Sequence, residues 1–339
     1  MSTGDGALAG LRSRILPTIR WDGVHAAQRL RCGACDAWFT HCPLLGNEVQ
    51  YVLLLPFLAW YAESGDAVDD GRTVRQLLAL TWLATFWNNA AKDVLCLPRP
   101  PRSLRVAAET VDGKDHVTQQ YGFPSTHSAA ALGQAYLLAR EAAARGLMPP
   151  SLCWGAAAAH VAHVCFSRLY MGVHAAADLV GGLAIAAVLV GLHAAVGEAV
   201  DAASVASGWG QLCTVALSLA LLSVYPDTSE ENTAYTEALA LAGLHLGACL
   251  STGPAAMHAF PRLTAVPGAS AAASYVVGLV ALGVFRQLLS VVSKALVRSL
   301  PKGGGGLASP AVARPLVVSL ITASYLLTLH PTQLVAWVA

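Results

Sequence analysis

The sequence predicts an all-α fold, a polytopic transmembrane helical bundle, and three observations predict it. Of the 339 residues, 55% are hydrophobic and only 12% are charged, where a soluble domain carries about 25% charged residues. Nine apolar runs follow one another, separated by proline, glycine or charge, and a spanning helix needs about 20 mostly apolar residues. Small residues crowd several runs, as in Ala156 to Ala159 and Ala184 to Ala187, which lets helix backbones approach closely where lipid gives no hydrophobic drive for association.

Ahead of the first run, segment 1–43 carries Arg12, Arg14, Arg20, Arg29 and Arg31 and is interrupted by Pro17. It has no apolar core of secretory-signal length, so cleavable targeting is not expected. Leu8, Leu11, Ile15 and Ile19 recur at helical steps, which predicts a short interfacial helix broken at Pro17. The predicted spans are then Leu44 to Tyr61, Leu77 to Leu97, Ser128 to Ala144, Ser151 to Phe166, Ala175 to Val196, Trp209 to Val224, Ala238 to Leu250, Ala271 to Val297 and Leu316 to Val338. The seventh is the shortest. Gly303 to Gly306, inside Pro301 to Pro310, reads as a flexible connection before the last helix.

Charge and cysteine usage exclude other classes. A net charge of +1 gives no clustered cationic surface for a phosphate backbone, so nucleic acid is not an expected partner. At least five of the eight cysteines lie in or against apolar runs and behave as small apolar residues. Cys32 and Cys35 have CxxC spacing, but a closed zinc site needs a second pair and a thioredoxin-like site needs a βαβ frame. No metal or redox role is expected of them.

Three basic, histidine-bearing islands interrupt the apolar pattern at helix ends: Lys92 to Pro100, Pro124 to His127, and Ser167 to Asp178. A cation inside hydrocarbon costs about 2.5 kcal/mol or more, so such residues need a compensating role. Parity supplies one. The first island ends the second predicted helix, the second opens the third, and the third joins the fourth to the fifth. If each run crosses the membrane, all three share one face.

The islands contain what phosphate ester cleavage requires: charge neutralisation, a nucleophile and an acid. Lys92, Arg99 and Arg168 can hold phosphoryl oxygens, the guanidinium forks in bidentate fashion. Ser125 and the amides opening the third helix extend the anion site. His174 and Asp178 are four apart, hence on one helical face. The carboxylate can accept from one imidazole nitrogen and leave the other free to attack. His127, from another loop on the same side, is suited to protonate the departing alkoxide. Singly, these residues have plainer readings: Lys92 and Arg99 could snorkel at a helix end, Asp178 could cap a helix, and a histidine such as His245 or His330 could simply pack. Ten specified residues in three ordered strings fit those readings less well.

The pattern Lys92, Arg99, Pro100; Pro124, Ser125, His127; Ser167, Arg168, His174, Asp178 resembles the signature of the type 2 phosphatidic-acid phosphatase superfamily, which includes bacterial acid phosphatases and vanadium haloperoxidases. The resemblance implies His174 as the residue that forms a phosphohistidine, Asp178 as its orienting group and His127 as general acid. It also implies phosphate binding by Lys92, Arg99, Ser125 and Arg168, with no metal and no cofactor.

Finer details are similar to the sphingosine-1-phosphate (long-chain-base phosphate) phosphatases. Thr126 stands where the superfamily commonly has glycine, Asp93 follows Lys92, and Ser167 to His174 reads SRLYMGVH. Leu45 to Glu48 and Pro56 to Trp60 carry the likeness upstream. It runs from Leu44 to about Gly253, which sets a membrane-embedded phosphatase domain at 44–253 and additional transmembrane helices at 254–339.

The implied function is hydrolysis of sphingoid-base 1-phosphates to the free base and phosphate. Phosphatidate, lysophosphatidate or a polyprenyl pyrophosphate is the alternative substrate, and a non-catalytic lipid-phosphate binder or transporter the alternative class. Membrane lipids and the lipid phosphate are the expected partners, with no oligomeric state implied. The resemblance implies a luminal site in the endoplasmic reticulum. The N-terminal arginines, on the same face by the nine-span count, argue instead for a cytoplasmic one.

Overall fold

The computed structural model describes residues 3–41, 71–106, 110–111, 114–115, 121–229, 232–252, 271–299 and 309–328, with Leu55, Leu58 and Leu307 besides. The expected first span and its likeness at 45–48 and 56–60, Leu55 and Leu58 apart, together with Cys42, residues 107–109, 112–113 and 116–120, the Gly303–Gly306 connection and the end of the last span, lie outside the described residues.

The described residues are helical apart from loops and one two-stranded ladder. In order, the helices are α1 (Thr3–Ile15), α2 (Asp22–Gln28), α3 (Gly33–His41), α4 (Arg72–Leu95), α5 (Thr126–Ala144), α6 (Pro150–Tyr170), α7 (Ala176–Leu192), α8 (Glu198–Val205), α9 (Gly208–Ser223), α10 (Thr233–Ser251), α11 (Ala271–Ser299) and α12 (Pro310–Thr328). Strands β1 (Thr110–Val111) and β2 (Lys114–Asp115) pair antiparallel. The fold is all-α, as expected.

Caps explain where the helices depart from the apolar runs. Ser207 opens α9 by accepting from the Gly210 amide, and Asn232 opens α10 by accepting from the Ala234 and Tyr235 amides. The Asn232 cap lengthens the shortest expected span to 19 residues. An N-cap satisfies amides with no intrahelical partner, so a helix begins at its cap rather than at its first apolar residue. Pro17 acts as expected: α1 stops at Ile15 and a 3₁₀ turn follows at Leu16–Thr18.

Among the described residues, two helices are long and apolar enough to cross a membrane, Ala176–Val205 and Tyr275–Ser299. The first is α7 continued through a π-helical turn at His193–Gly197 into α8. Gly208–Ser223 and Val312–Ala323 are shorter apolar helices. Val180, Val188 and Leu192 on α7, and Val280, Val284 and Leu288 on α11, point outward. Such rows of exposed apolar side chains suit lipid rather than water. The chain is a membrane protein.

Two compact units divide the chain: Met1–Glu48 with Leu83–Leu192, and Val49–Trp82 with His193–Ala339. In the first, α5 packs on α6 and α7, and α2 packs on α6. Ala84, Ala129 and Ala186 form a small-residue core with Leu132 and Leu189 against it. A second core gathers Ala27, Tyr170, Met171 and Val173, with Cys35, Phe39 and Phe166 around them. Gln28 ties this region together by donating to the carbonyls of Leu104 (2.6 Å) and Tyr170 (2.9 Å).

In the second unit, α10 packs against α12. A Cβ at Gly243 would collide with the Leu316 carbonyl oxygen, and one at Gly247 with that of Leu320. This Gly-x-x-x-Gly face therefore allows backbone-to-backbone contact that any side chain would prevent. The unit also buries a polar tie. Arg75 donates through Nε to Oδ1 of Asp201 (2.9 Å), through Nη2 to Oδ2 (2.6 Å), and through Nη1 to Thr252 Oγ1 (2.9 Å).

Candidate active site

All seven residues singled out from sequence lie in the first unit, and the structure gathers them from four helices and two loops. Lys92 sits on the last turn of α4, Arg99 in the loop after it, Ser125 and His127 at the start of α5, Arg168 near the end of α6, His174 in the α6–α7 turn, and Asp178 on the first turn of α7. The Gly122 amide donates to the Leu97 carbonyl (2.9 Å), and the Ser125 amide to the Asp178 carbonyl (2.8 Å). These two bonds join the three islands through backbone alone.

His174 is the centre of the arrangement. Its Nδ1 lies 3.3 Å from Oδ2 of Asp178, with both side chains almost wholly buried. The same carboxylate oxygen accepts from the Ala175 amide at 2.8 Å. Asp178 therefore caps α7 in the manner of an acidic third residue, and as a carboxylate it can only accept, which favours the His174 tautomer protonated on Nδ1. With the proton on Nδ1, the lone pair is on Nε2. Arg99 Nη1 lies 3.4 Å from that nitrogen and donates to the Val173 carbonyl at 3.1 Å.

The second imidazole faces the first. The His127 and His174 rings have centroids 6.4 Å apart and planes inclined by 59°. That separation suits one phosphoryl group, with a nitrogen on either side of the scissile bond.

Cations surround this gap. Arg168 is about 1% exposed and Lys92 about 2%, which is unusual for charged side chains outside a purpose-built site. Nε of Arg168 donates to Ser167 Oγ (3.3 Å), and Ser167 Oγ donates to the Val164 carbonyl (2.7 Å), fixing the base of the guanidinium. Burial, with Arg99 and Lys92 beside it, holds the His174 imidazole well below its usual pKa. It is therefore neutral, the form that can attack. Ser125 is the N-cap of α5, accepting from the Ser128 amide at 3.5 Å, and its hydroxyl proton remains the part able to donate to an anion.

Two neighbours were not singled out by the sequence. Asn89, one turn before Lys92, accepts from Lys92 Nζ (3.0 Å) and from Thr126 Oγ1 (2.8 Å), and Lys92 Nζ also donates to Thr126 Oγ1 (2.7 Å). The available signal was an asparagine on the lysine's helical face inside an apolar run. Gly122 is the other. A Cβ there would lie 2.7 Å from the Pro98 carbonyl oxygen and 3.2 Å from both Arg99 Cα and Asp178 Oδ2. Among the described residues, no group of three or more His, Cys, Asp or Glu side chains is placed to hold a metal ion.

Residues 73–199 match the family model described as PAP2 superfamily. The chain is similar to the lipid phosphate phosphatase delta of Arabidopsis thaliana, 32% identical over 231 residues that cover 65% of this chain and 52% of the relative. It is similar to sphingosine-1-phosphate phosphatase 2 of Mus musculus, 31% identical over 188 residues covering 56% and 50%. It is also similar to a dihydrosphingosine 1-phosphate phosphatase of Saccharomyces cerevisiae, 26% identical over 231 residues covering 67% and 55%. The chain spans about half the length of these curated relatives. No solved structure matches it.

Proposed function

We propose, for a chain that carries a PAP2 superfamily domain across residues 73–199, that it is an integral-membrane lipid phosphate phosphatase acting on sphingoid-base 1-phosphates. One observation carries the reading: His174, oriented by Asp178, lies beside His127 across a gap lined by buried cations. A binder needs the cations but gains nothing from a positioned nucleophile and acid.

In the proposed reaction Nε2 of His174 attacks phosphorus as the bond to the lipid oxygen breaks. Burial and the Arg168, Lys92 and Arg99 charges disfavour the His127 imidazolium in the free site. The bound phosphate dianion offsets those charges, and the protonated His127 delivers its proton to the lipid oxygen. The free base leaves, and a phosphohistidine remains. The Nδ1 proton stays on His174, directed at Asp178, and the carboxylate stabilises the positive charge that develops on the ring. His127, now a base, takes a proton from water as the water oxygen attacks phosphorus, releasing inorganic phosphate and restoring His174. Arg99, Arg168, Lys92 and Ser125 hold the phosphoryl oxygens. No step draws on a metal or cofactor.

Two named relatives act on sphingoid-base phosphates, which supports that substrate class over phosphatidate, lysophosphatidate or a polyprenyl pyrophosphate. We also place the site on the luminal side of the endoplasmic reticulum, on the resemblance set out above.

The test is phosphate release from sphingosine 1-phosphate, dihydrosphingosine 1-phosphate, phosphatidate and a polyprenyl pyrophosphate, side by side, in a chelator. Turnover of the two sphingoid substrates well above the others, abolished in His174→Ala, is expected. Undiminished turnover in His174→Ala sinks the mechanism, and preference for a glycerolipid sinks the substrate.

A further inference from the structure

We propose that Asn89 and Thr126 are positioning residues that latch the Lys92 ammonium, so that it meets the phosphoryl group in a fixed orientation. The inference rests on the phosphatase reading and adds to it a part that neither the motif pattern nor the comparisons assign.

A lysine reaches its target through four flexible carbons and presents three rotatable N–H donors. Left alone it is a mobile point charge. Here Nζ donates to Asn89 Oδ1 at 3.0 Å and to Thr126 Oγ1 at 2.7 Å, while the Thr126 hydroxyl donates to Asn89 Oδ1 at 2.8 Å. The three groups close a triangle in which Asn89 accepts twice and Thr126 accepts once and donates once. Two of the ammonium N–H bonds are thereby directed at fixed partners.

The triangle also joins the first island to the second. Asn89 and Lys92 lie three apart on one face of α4, and Thr126 is the first residue of α5. The adjacent Asn88 takes no part, since its side-chain amide donates to the Ala84 carbonyl at 2.7 Å. Asn89 is fully buried, and burial strengthens hydrogen bonds to a charged group while excluding competing water. The latch therefore sets the ammonium relative to the N-terminus of α5, where His127 and the N-cap Ser125 stand.

The experiment measures the dissociation constant for inorganic phosphate on the detergent-solubilised full chain by calorimetry, which requires no turnover. Thr126→Val removes the hydroxyl at nearly constant shape, Thr126→Ser restores it, and both are made with Lys92 present and with Lys92→Met. With Lys92 present, Thr126→Val is expected to weaken phosphate about tenfold, the worth of one hydrogen bond to a charged group. Thr126→Ser stays within about twofold of the unsubstituted chain. In the Lys92→Met background, Thr126→Val changes phosphate affinity by less than about twofold.

Equal losses in both backgrounds, no loss with Lys92 present, failure of serine to rescue, or no phosphate binding by the unsubstituted chain overturns the latch. A chain that binds phosphate with the expected coupling but cleaves no lipid phosphate keeps the latch and overturns the phosphatase.

Discussion

Oδ2 of Asp178 serves His174 and the α7 backbone at once, 3.3 Å from the ring nitrogen and 2.8 Å from the Ala175 amide. An amide in its place has a single acceptor oxygen and a nitrogen that only donates. With its oxygen in the Oδ2 position, Asp178→Asn can keep both the cap and the proper tautomer of His174, but it loses the negative charge that stabilises the imidazolium-like ring. The expected result is a fall in kcat of about 10⁴, the size of the loss when asparagine replaces the aspartate of a Ser-His-Asp triad, with the unfolding midpoint little changed. Phosphate-release kinetics and thermal unfolding of the same preparation check both halves.

The low pKa of His174 sets a pH dependence. Protonation removes the attacking lone pair, so activity is lost as pH falls through the folded-state pKa. That value lies well below the ordinary one near 6.5 because of burial first and then the Arg99 and Lys92 charges. In kcat/KM, which reports the free enzyme, the limb due to His174 should therefore fall below about pH 6.5. Removing a cation should raise it: Arg99→Ala moves the limb toward neutral pH while lowering the plateau. The substrate monoester also titrates near pH 6, but equally for both proteins, so the displacement between the two profiles belongs to the enzyme. An unmoved limb assigns it to another group.

Gly122 carries a steric prediction. A methyl group there meets the Pro98 carbonyl oxygen at 2.7 Å and Arg99 Cα at 3.2 Å, backbone atoms that cannot rotate away. Gly122→Ala should displace the loop that bears Arg99, and an ångström of misplacement costs about 100-fold. A loss of that size in kcat/KM, with inorganic phosphate also binding more weakly, is expected. Wild-type kinetics in Gly122→Ala would mean that the close approach has no bearing on the site.

The site was largely legible because its residues are costly where they stand. Lys92, Arg99, Arg168 and the two histidines break an apolar pattern, and helix parity predicts one face for all three islands. Asn89 and Gly122 gave weaker signals, since a buried asparagine has many uses and a glycine in a loop has more. The helix ends were misjudged wherever a polar cap lay outside the apolar run, as at Asn232. Packing at long sequence separation was not legible at all: nothing in the string joins Gln28 to Tyr170, or Gly243 to Leu316.

The pair Arg75 and Asp201 belongs to that last group and yields a prediction about stability alone. Its side chains are 4% and 8% exposed, with two parallel bonds of 2.9 and 2.6 Å. Removing two charges from water costs several kcal/mol per ion, which the pair's mutual attraction only offsets. The single change Asp201→Ala removes both carboxylate bonds from a buried guanidinium. It should destabilise the protein by about 3–5 kcal/mol. Replacing both ions with apolar side chains, as in Arg75→Met with Asp201→Leu, removes the buried charge together with the pair, and should recover most of that loss. Denaturant unfolding of both single variants and the double variant in mixed micelles gives the coupling directly. A double variant as unstable as the sum of its parts would mean that this pair contributes net stability and is more than a compensated buried charge.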